Sequence, residues 1–582
     1  MDQTSGPAFA AVPATAHLLE PVIAWAASAP DRIVAAYPDG DGWADVTAAA
    51  LWGRVRAVAK GLIASGIDPG DRVALMSATR FEWTLADDAV MAAGAVTVPI
   101  YETASAEQIA WILADSGARL VIVETPAMAA VVATIPRPHD AAEVVVLEAG
   151  GLDELTRRGN DVDDVDLERR IAALASDQLV TIVYTSGTTG RPKGCAMTHA
   201  NLVANVAQNI DAVRDMLRDD EVLLMFLPLA HTLAKIVSLV ATSWGALAVY
   251  GHGIGRLPED LAAVQPTMIV AVPRIFEKAY DAAQHKARAE HKEAVFHHAV
   301  KVAIHWSEHA QHVGPGTRVE HVAYDHLVYG KIRRAFGGRL RFAFSGGGPL
   351  GERLTHFFNG VGVKVLEGYG LTETSPTLSI NRADAWEPGT VGRPAAGTTI
   401  RVADDGEILA KGPQVFNGYW HDDEATRQAL DGDGWFHTGD IGAIDDRGFL
   451  RITGRKKEII VTAAGKNVAP APLEDRLRSH AVVSQAVVIG EGRPFIAALI
   501  TVDAEAATGL DTATVRHLVS DAVADANQTV SRAESIREFA ILEHDLSIEA
   551  GELTPTLKVR RSIVATTYAG VIDGIYGTHT GV

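Results

Sequence analysis

The chain has 582 residues, 48% of them hydrophobic and 21% charged, which describes a globular protein too long for a single core. A net charge of −20 excludes a general nucleic-acid binder, which needs a basic footprint. The one cysteine, Cys195, excludes an intramolecular disulfide and a cysteine-based zinc site, and fits a reducing cytoplasm.

The first twenty residues lack the basic start and apolar core of a signal peptide. From about Asp71 to Tyr184, "RVALMS", "AVTVPIY", "RLVIVE", "EVVVLE" and "LVTIVY" read as strands. "SAEQIAWILADSG" between two of them reads as a helix, with Ser105 and Gln108 spaced as a capping box. Such alternation predicts a doubly wound α/β core with a parallel sheet. Residues 236–250, "IVSLVATSWGALAVY", form the longest uncharged apolar run and fall short of the ~20 residues a membrane span needs. A buried core segment is expected there, and peripheral contact with a membrane stays open.

Residues 257–340 carry more helix signals. "FHHAVKVAIHWSEHAQHV" places Phe296, Ala299, Ala303, Trp306, Ala310 and Val313 on one helical face. The basic residues Lys331, Arg333, Arg334, Arg339 and Arg341 could meet an anionic partner or form a solvated helix face. After about Gly392 the pattern turns to short strands with Gly and Asp turns. Beyond Lys456 a small α+β unit fits, so a domain boundary is expected at 454/455: a large unit 1–454 and a small unit 455–582.

The stretch "YTSGTTGRPKG", residues 184–194, follows a predicted strand with three glycines, several hydroxyls and Lys193. It is not a Walker loop, because Lys193 follows Pro192 and no hydroxyl follows the lysine. Backbone amides of a mobile Gly-rich flap could still wrap a polyphosphate, with Thr185, Ser186, Gly187, Thr188, Thr189, Gly190 and Lys193 as its contacts. Further along stand "FLPLAH" (226–231), "SGGGPL" (345–350), "GYGLTET" (368–374), "GWFHTGD" (434–440), "GRKKEIIVTAAGKNVAP" (454–470) and "LTPTLKVRR" (553–561). In this order and over nearly the whole chain, the set resembles the adenylate-forming superfamily, and "GRKKEIIVTA" with "LTPTLKVRR" resembles its long-chain fatty-acid–CoA ligase branch.

The resemblance implies a large N-terminal domain of doubly wound α/β subdomains with a small β-barrel-like subdomain, and a small mobile C-terminal α+β lid. It also implies a two-step reaction. A fatty-acid carboxylate attacks the α-phosphate of ATP to give acyl-AMP and pyrophosphate, and coenzyme A then displaces AMP. Mg²⁺ is the implied cofactor, held by Glu373 in "GLTET", with the Thr372 hydroxyl on the α-phosphate. Tyr369 would stack on adenine beside Gly368, Gly370 and Leu371, with Ser345, Gly346, Gly347 and Gly348 along the base edge. Gly348 stands where many relatives carry alanine. Asp440 would accept both ribose hydroxyls, helped by Arg455.

Lys558 is the implied adenylation lysine, delivered by the small domain, and Lys457 the hinge about which that domain turns. His231, Trp244, Ala464 and Gly465 are assigned to the acyl and coenzyme A channel. A medium-chain or aromatic acid is the alternative substrate within the superfamily. The rival from another class is a zinc hydrolase, because "HWSEH" (305–309) matches H-x-x-E-H, and His298, His305, His309 and His312 share one helical face.

Overall fold

The structure, a computed structural model, describes residues 2–135, 143–185, 191–309, 312–504, 506–532, 534–554 and 558–577. All five strands read between Asp71 and Tyr184 form, at Arg72–Met76, Val96–Ile100, Leu120–Val123, Glu143–Val146 and Leu179–Thr185. They run parallel within a seven-stranded sheet, which two antiparallel strands, Lys193–Thr198 and Gly418–Tyr419, complete at one edge. The helix Ala106–Ser116 begins at the predicted capping box and stops at Gly117, whose left-handed φ of +61° suits glycine.

A second, nine-stranded sheet has a parallel centre running from Lys364–Gly370 through Phe342–Ser345, Met268–Ala271, Val222–Met225 and Leu247–Tyr250 to Ile33–Asp39. Residues 236–250 belong to this core. The helix Thr232–Trp244 ends at Gly245 and hands over directly to the strand Leu247–Tyr250. Among the described residues no helix is long and apolar enough to cross a membrane.

The Gly/Asp-punctuated region after Gly392 builds an antiparallel five-stranded sheet that also recruits Gln3–Ser5. This is the sheet expected as barrel-like. Among the described residues its end strands, Gln3–Ser5 and Leu450–Arg455, do not pair with each other, so it stays open. Beyond it, Val483–Ile489, Ile496–Val502 and Ile536–Ile541 form a three-stranded sheet that packs with the helices Pro470–Arg478 and Thr512–Asn527. The buried apolar clusters separate along the chain: the largest ends at Phe436, and the two of the C-terminal unit begin at Ile460 and Val487.

One element is shorter than its sequence suggests. The helix Glu293–Glu308 buries Phe296, Ala299 and Ala303 and half-buries Trp306, but it stops before Val313, and Ala310 lies outside the described residues. Val313 is buried from a connecting segment instead, because Pro315 starts a new helix, Pro315–Tyr324, and proline cannot continue an old one.

Candidate active site

The parallel strands of both sheets point their C-terminal ends at one cavity of about 2700 Å³, and the small C-terminal unit closes it from the other side. Ligand sites of open α/β sheets form in this crevice. Thr185 ends one strand, Ser345 ends another, and Gly346, Gly347 and Gly348 follow it; Gly368, Tyr369 and Gly370 end a third and lead into Leu371, Thr372 and Glu373. All of these line the cavity, as do Lys193, His231, Asp440, Arg455, Lys457 and Lys558. The sequence-predicted residues Ser186, Gly187, Thr188, Thr189 and Gly190 lie outside the described residues.

Both flanks of that flap are anchored. Before it, the Tyr184 hydroxyl donates to Asp115 at 2.6 Å; after it, the Trp111 indole N–H donates to the Pro192 carbonyl at 2.8 Å. Lys193 pairs across the strands with Thr185, and its ammonium stands 5.3 Å from the Tyr419 ring centre. Its nearest carboxylate, Asp422, is 4.0 Å away and both partners are exposed, a contact worth little. Lys193 therefore keeps charge to offer to an anion.

Backbone demands fix the glycines. Gly347 has φ +83°. Gly370 sits at a register shift against the strand Thr377–Ile380, and a Cβ there would run into the Pro376 carbonyl. At Gly348 a Cβ would meet only Pro273 at 3.7 Å, so alanine would fit. Buried Glu367 holds this loop, accepting the Leu350 N–H and the Thr355 hydroxyl, each at 3.0 Å.

Asp440 and Arg455 face each other because they are register partners of two antiparallel strands. Arg455 Nε is 3.1 Å from Asp440 Oδ1, and the Tyr369 hydroxyl donates to Asp440 Oδ2 at 2.7 Å. Burial raises the Asp440 pKa, against the pull of Arg455 and Tyr369; burial and Asp440 together push the Tyr369 phenol well up. Glu373 is engaged similarly: Tyr419 donates its hydroxyl to Glu373 Oε1 at 2.8 Å. Cys195 lies fully buried, its thiol pushed far up by burial and next by Glu373. That makes it an inert small hydrophobe, as its type and position suggest.

Lys558 comes from the small unit, on a short hairpin where Leu553 bridges Val559 and the Lys558 amide donates to the Thr554 hydroxyl at 3.0 Å. Its side chain is open to the cavity but enclosed by the cavity walls. That enclosure lowers its pKa and Arg455 adds to the drop, while Asp440, Glu458 and Glu373 pull the other way. His231 caps the helix Thr232–Trp244, its Nδ1 accepting the Leu233 amide at 3.1 Å. Burial first and Lys558 second hold the imidazole down at a pKa of about 3. It is neutral at any physiological pH and a poor base. The pH profile of activity between pH 5 and 8 should therefore keep its shape in His231→Gln; a vanished limb near pH 6.5 would make His231 a titrating catalyst.

Three expected channel residues are not on the cavity wall. Trp244 falls on the same helical stripe as Leu233, Ile236, Val237 and Val240, which do line it, but the helix ends there and the indole N–H donates to the Arg218 carbonyl at 2.8 Å. Ala464 and Gly465 sit exposed in the turn joining Ile460–Val461 to Asn467–Val468, outside the cavity. The helix Thr232–Trp244 is pinned on its other side by a buried ion pair, Lys235 to Asp87 at 2.8 Å. Val213, Leu217, Met268, Val270 and Phe344 also line the cavity, with Asn209 beside them, so this branch is walled mostly by hydrocarbon.

Sequence reasoning did not find the groups that hold the small unit in place. On the large-unit side of the expected hinge, Lys456 is tied to its own sheet through Asp405 at 2.6 Å and Glu407 at 2.9 Å, whereas Lys457 is exposed and makes no ion pair among the described residues. The helix Pro273–Ala289 touches the small unit through Arg274 to Ser484 (3.4 Å), His285 to Asp503 (3.7 Å) and Arg288 to the Ala506 carbonyl (3.3 Å). The spacing 274, 285, 288 is helical, a signal visible in sequence but without a stated partner.

The H-x-x-E-H group is assembled but exposed. His305, Glu308 and His309 bring their donor atoms within 4.8 Å of one another at the solvent-facing end of their helix, and none of them lines the cavity. A zinc hydrolase would need an open coordination position within a cleft.

Residues 22–420 match the family model of AMP-binding enzymes, and residues 457–580 match that of the AMP-binding enzyme C-terminal domain. The chain is 48% identical over 556 residues to long-chain-fatty-acid–CoA ligase FadD15 of Mycobacterium tuberculosis (strain ATCC 25618 / H37Rv), covering 92% of each. It is 29% identical to long-chain-fatty-acid–CoA ligase ACSBG1 of Homo sapiens, over 94% of this chain and 83% of that one. Among solved structures, it is similar in fold to the adenylation domain of a carboxylate reductase from Mycobacterium chelonae (TM-score 0.76, 23% identity, 97% and 91% covered). ATP-bound MatB from Rhodopseudomonas palustris is a second such structure (TM-score 0.71, 24% identity, 96% and 100% covered).

Proposed function

This chain belongs to the AMP-binding enzyme family, and from that premise we propose that it activates long-chain fatty acids with ATP and joins them to coenzyme A, releasing AMP and pyrophosphate. The observation that carries the chain-length reading is the hydrocarbon branch of the cavity. Two turns of one helix, Leu233 to Val240, present only apolar side chains to it, which suits an alkyl tail and offers nothing to a polar acid.

In this reading the carboxylate meets ATP where the branch opens between His231 and the glycines. Bringing an anion to a polyanion needs cationic charge at the α-phosphate, and Lys558 and Arg455 supply it inside an enclosed site. Lys193 and the flap after Thr185 would hold the outer phosphates. Asp440 would exchange its contacts with Tyr369 and Arg455 for the ribose hydroxyls, which frees the Tyr369 ring to lie against adenine. Glu373 is an all-oxygen donor at the cavity wall and fits Mg²⁺, a hard cation that takes few protein carboxylates; bound there, the ion would neutralise phosphate charge.

The arrangement with Lys558 inside the site is the adenylation arrangement. Thioester formation needs that space, so the small unit, 455–582, must swing away from the large one, 1–454, about Lys457. The motion would break the contacts of the helix Pro273–Ala289 with the small unit and would carry Ala464 and Gly465 from solvent toward the coenzyme A path. A cytoplasmic location fits the single, buried cysteine.

A carboxylic-acid panel assayed for AMP release with and without coenzyme A tests the reading. Palmitate-like acids should saturate at the lowest concentration and require coenzyme A for turnover. Val240→Trp should cut kcat/KM for them by about 100-fold while sparing short acids, since each methylene excluded from an apolar pocket forfeits binding. A preference for aromatic acids, or a Val240→Trp variant indifferent to chain length, would overturn it.

A further inference from the structure

From the last turn of the helix Glu293–Glu308, we propose that this protein holds one divalent transition-metal ion of the Zn²⁺, Ni²⁺ or Cu²⁺ class on His305, Glu308 and His309, at a site that takes no part in the ligase reaction.

Nine of the chain's 21 histidines fall within residues 285–326, so composition alone does not select ligands. Geometry does. Among the described residues, His305, Glu308 and His309 are the one group of three His, Cys, Asp or Glu whose donor atoms all lie within 4.8 Å of one another. Positions i, i+3 and i+4 share a helical face, and the two imidazoles stand 4.2 Å apart with their planes inclined at 34°. His298, on the same face, is turned to Glu320 at 3.8 Å and does not belong to the group.

The His309 ring is already in the state a metal needs. Its Nδ1 lies 3.1 Å from the His305 carbonyl, which can only accept, so Nδ1 carries the hydrogen and Nε2 the free lone pair. Metal-binding histidines are oriented by the same N–H-to-carbonyl bond. Among the described residues the Glu308 carboxylate pairs only with this ring, at 3.9 Å, and no lysine or arginine competes for it.

The frame behind the ligands is fixed. Trp306 stacks on His321 at 4.0 Å, and His321 Nε2 lies 2.7 Å from the Gly360 carbonyl. Buried Ser307 accepts the Asn359 amide at 2.9 Å and meets His356 Nδ1 at 2.9 Å. These bonds fasten the turn to the helix Glu352–Val361, so the ligands are presented from a packed helix rather than a loop. The turn is also the negative end of a 16-residue helix, whose last carbonyls favour a cation.

Two imidazoles and a carboxylate suit borderline ions, not Mg²⁺ or Ca²⁺, which take oxygen sets. The three ligands are exposed and off the cavity wall, so water completes the coordination and no substrate is held there. An ion that binds the folded helix end stabilises the native chain by linkage. The assignment is independent of the acid and nucleotide proposed for the cavity.

The test is calorimetric titration of Zn²⁺, and separately Ni²⁺, into the full untagged chain stripped of metal, without ATP, acid or coenzyme A. One ion per chain should bind, excess Mg²⁺ should not displace it, and the melting temperature should rise with the metal. His305→Ala and His309→Ala should each weaken binding by about 100-fold and Glu308→Gln by about tenfold, the span that losing even a group that only orients a ligand covers. These are exposed positions, so the metal-free melting temperatures should match the parent's while the metal-induced rise is lost. Cu²⁺ on the parent should give the electron-spin hyperfine pattern of two imidazole nitrogens, reduced to one in either histidine variant. His298→Ala should bind as the parent does, and ligase activity should be equal in the parent and in His305→Ala. Absence of one-to-one binding, displacement by Mg²⁺, or affinity that survives His305→Ala combined with His309→Ala would overturn the proposal. So would a copper spectrum that neither single variant changes, or loss of binding in His298→Ala, since the ion would then sit on other histidines.

Discussion

Replacing Lys558 with alanine is expected to reduce fatty-acid-dependent ATP–pyrophosphate exchange by 10²- to 10³-fold or more, the usual loss when one preorganised charge is removed from a developing oxyanion. Thioester formation from supplied acyl-adenylate should be nearly untouched if, as proposed, Lys558 leaves the site before that step. The asymmetry is the diagnostic result. Equal loss of both half-reactions would mean that the variant damages the hairpin carrying Lys558, with its 2.8 Å bond from the Thr554 amide to the Lys558 carbonyl. The pH profile offers a second reading. Burial and Arg455 lower the Lys558 pKa, so its charge is present at low pH and lost as pH rises through a value below that of an ordinary lysine. Pyrophosphate exchange should therefore carry an early alkaline limb that is absent from the thioester half-reaction.

Asp440→Ala is expected to have the second-largest effect. Two charge-assisted hydrogen bonds at about 1.5–3 kcal/mol each correspond to a loss of roughly 10²- to 10⁴-fold in kcat/KM for ATP. Little of that loss should appear in the KM for the fatty acid, for which the apolar side of the cavity is proposed. Asp440→Asn keeps one acceptor oxygen and should recover part of the activity. If either variant left the KM for ATP unchanged, the ribose assignment would fail. Because burial raises the Asp440 pKa, acid weakens this contact at a higher pH than it would for an exposed aspartate, and the KM for ATP should climb first on that side.

Much of the fold can be read locally. The five parallel strands and the capped helix Ala106–Ser116 follow from alternation, β-branched runs and a four-residue capping pattern, all within short windows. The positions of Glu373, Asp440 and Lys558 could be named only because ordered motifs resemble a known superfamily. What stays hidden is the partnership of distant residues. Tyr369 bonds Asp440 71 positions away, Tyr419 bonds Glu373 46 away, and Lys456 reaches Asp405 51 away. Nothing in the local pattern around Tyr419 announces a carboxylate above it. Periodicity also misleads at Trp244, which shares the helical stripe of Val240 yet turns to a carbonyl at the helix end, because the stripe says which side faces inward and not where the wall stops.

The buried link between Lys235 and Asp87 has a consequence for how this enzyme could diversify. It fastens the helix Thr232–Trp244 from behind, so the backbone of the hydrocarbon wall is fixed independently of the side chains that Ile236, Val237 and Val240 present. Those three positions can be exchanged as interchangeable tiles on a rigid frame, shortening or widening the space for the tail without disturbing the nucleotide side. A library confined to them, with Lys235 and Asp87 untouched, is the economical route to ligases with new acid repertoires.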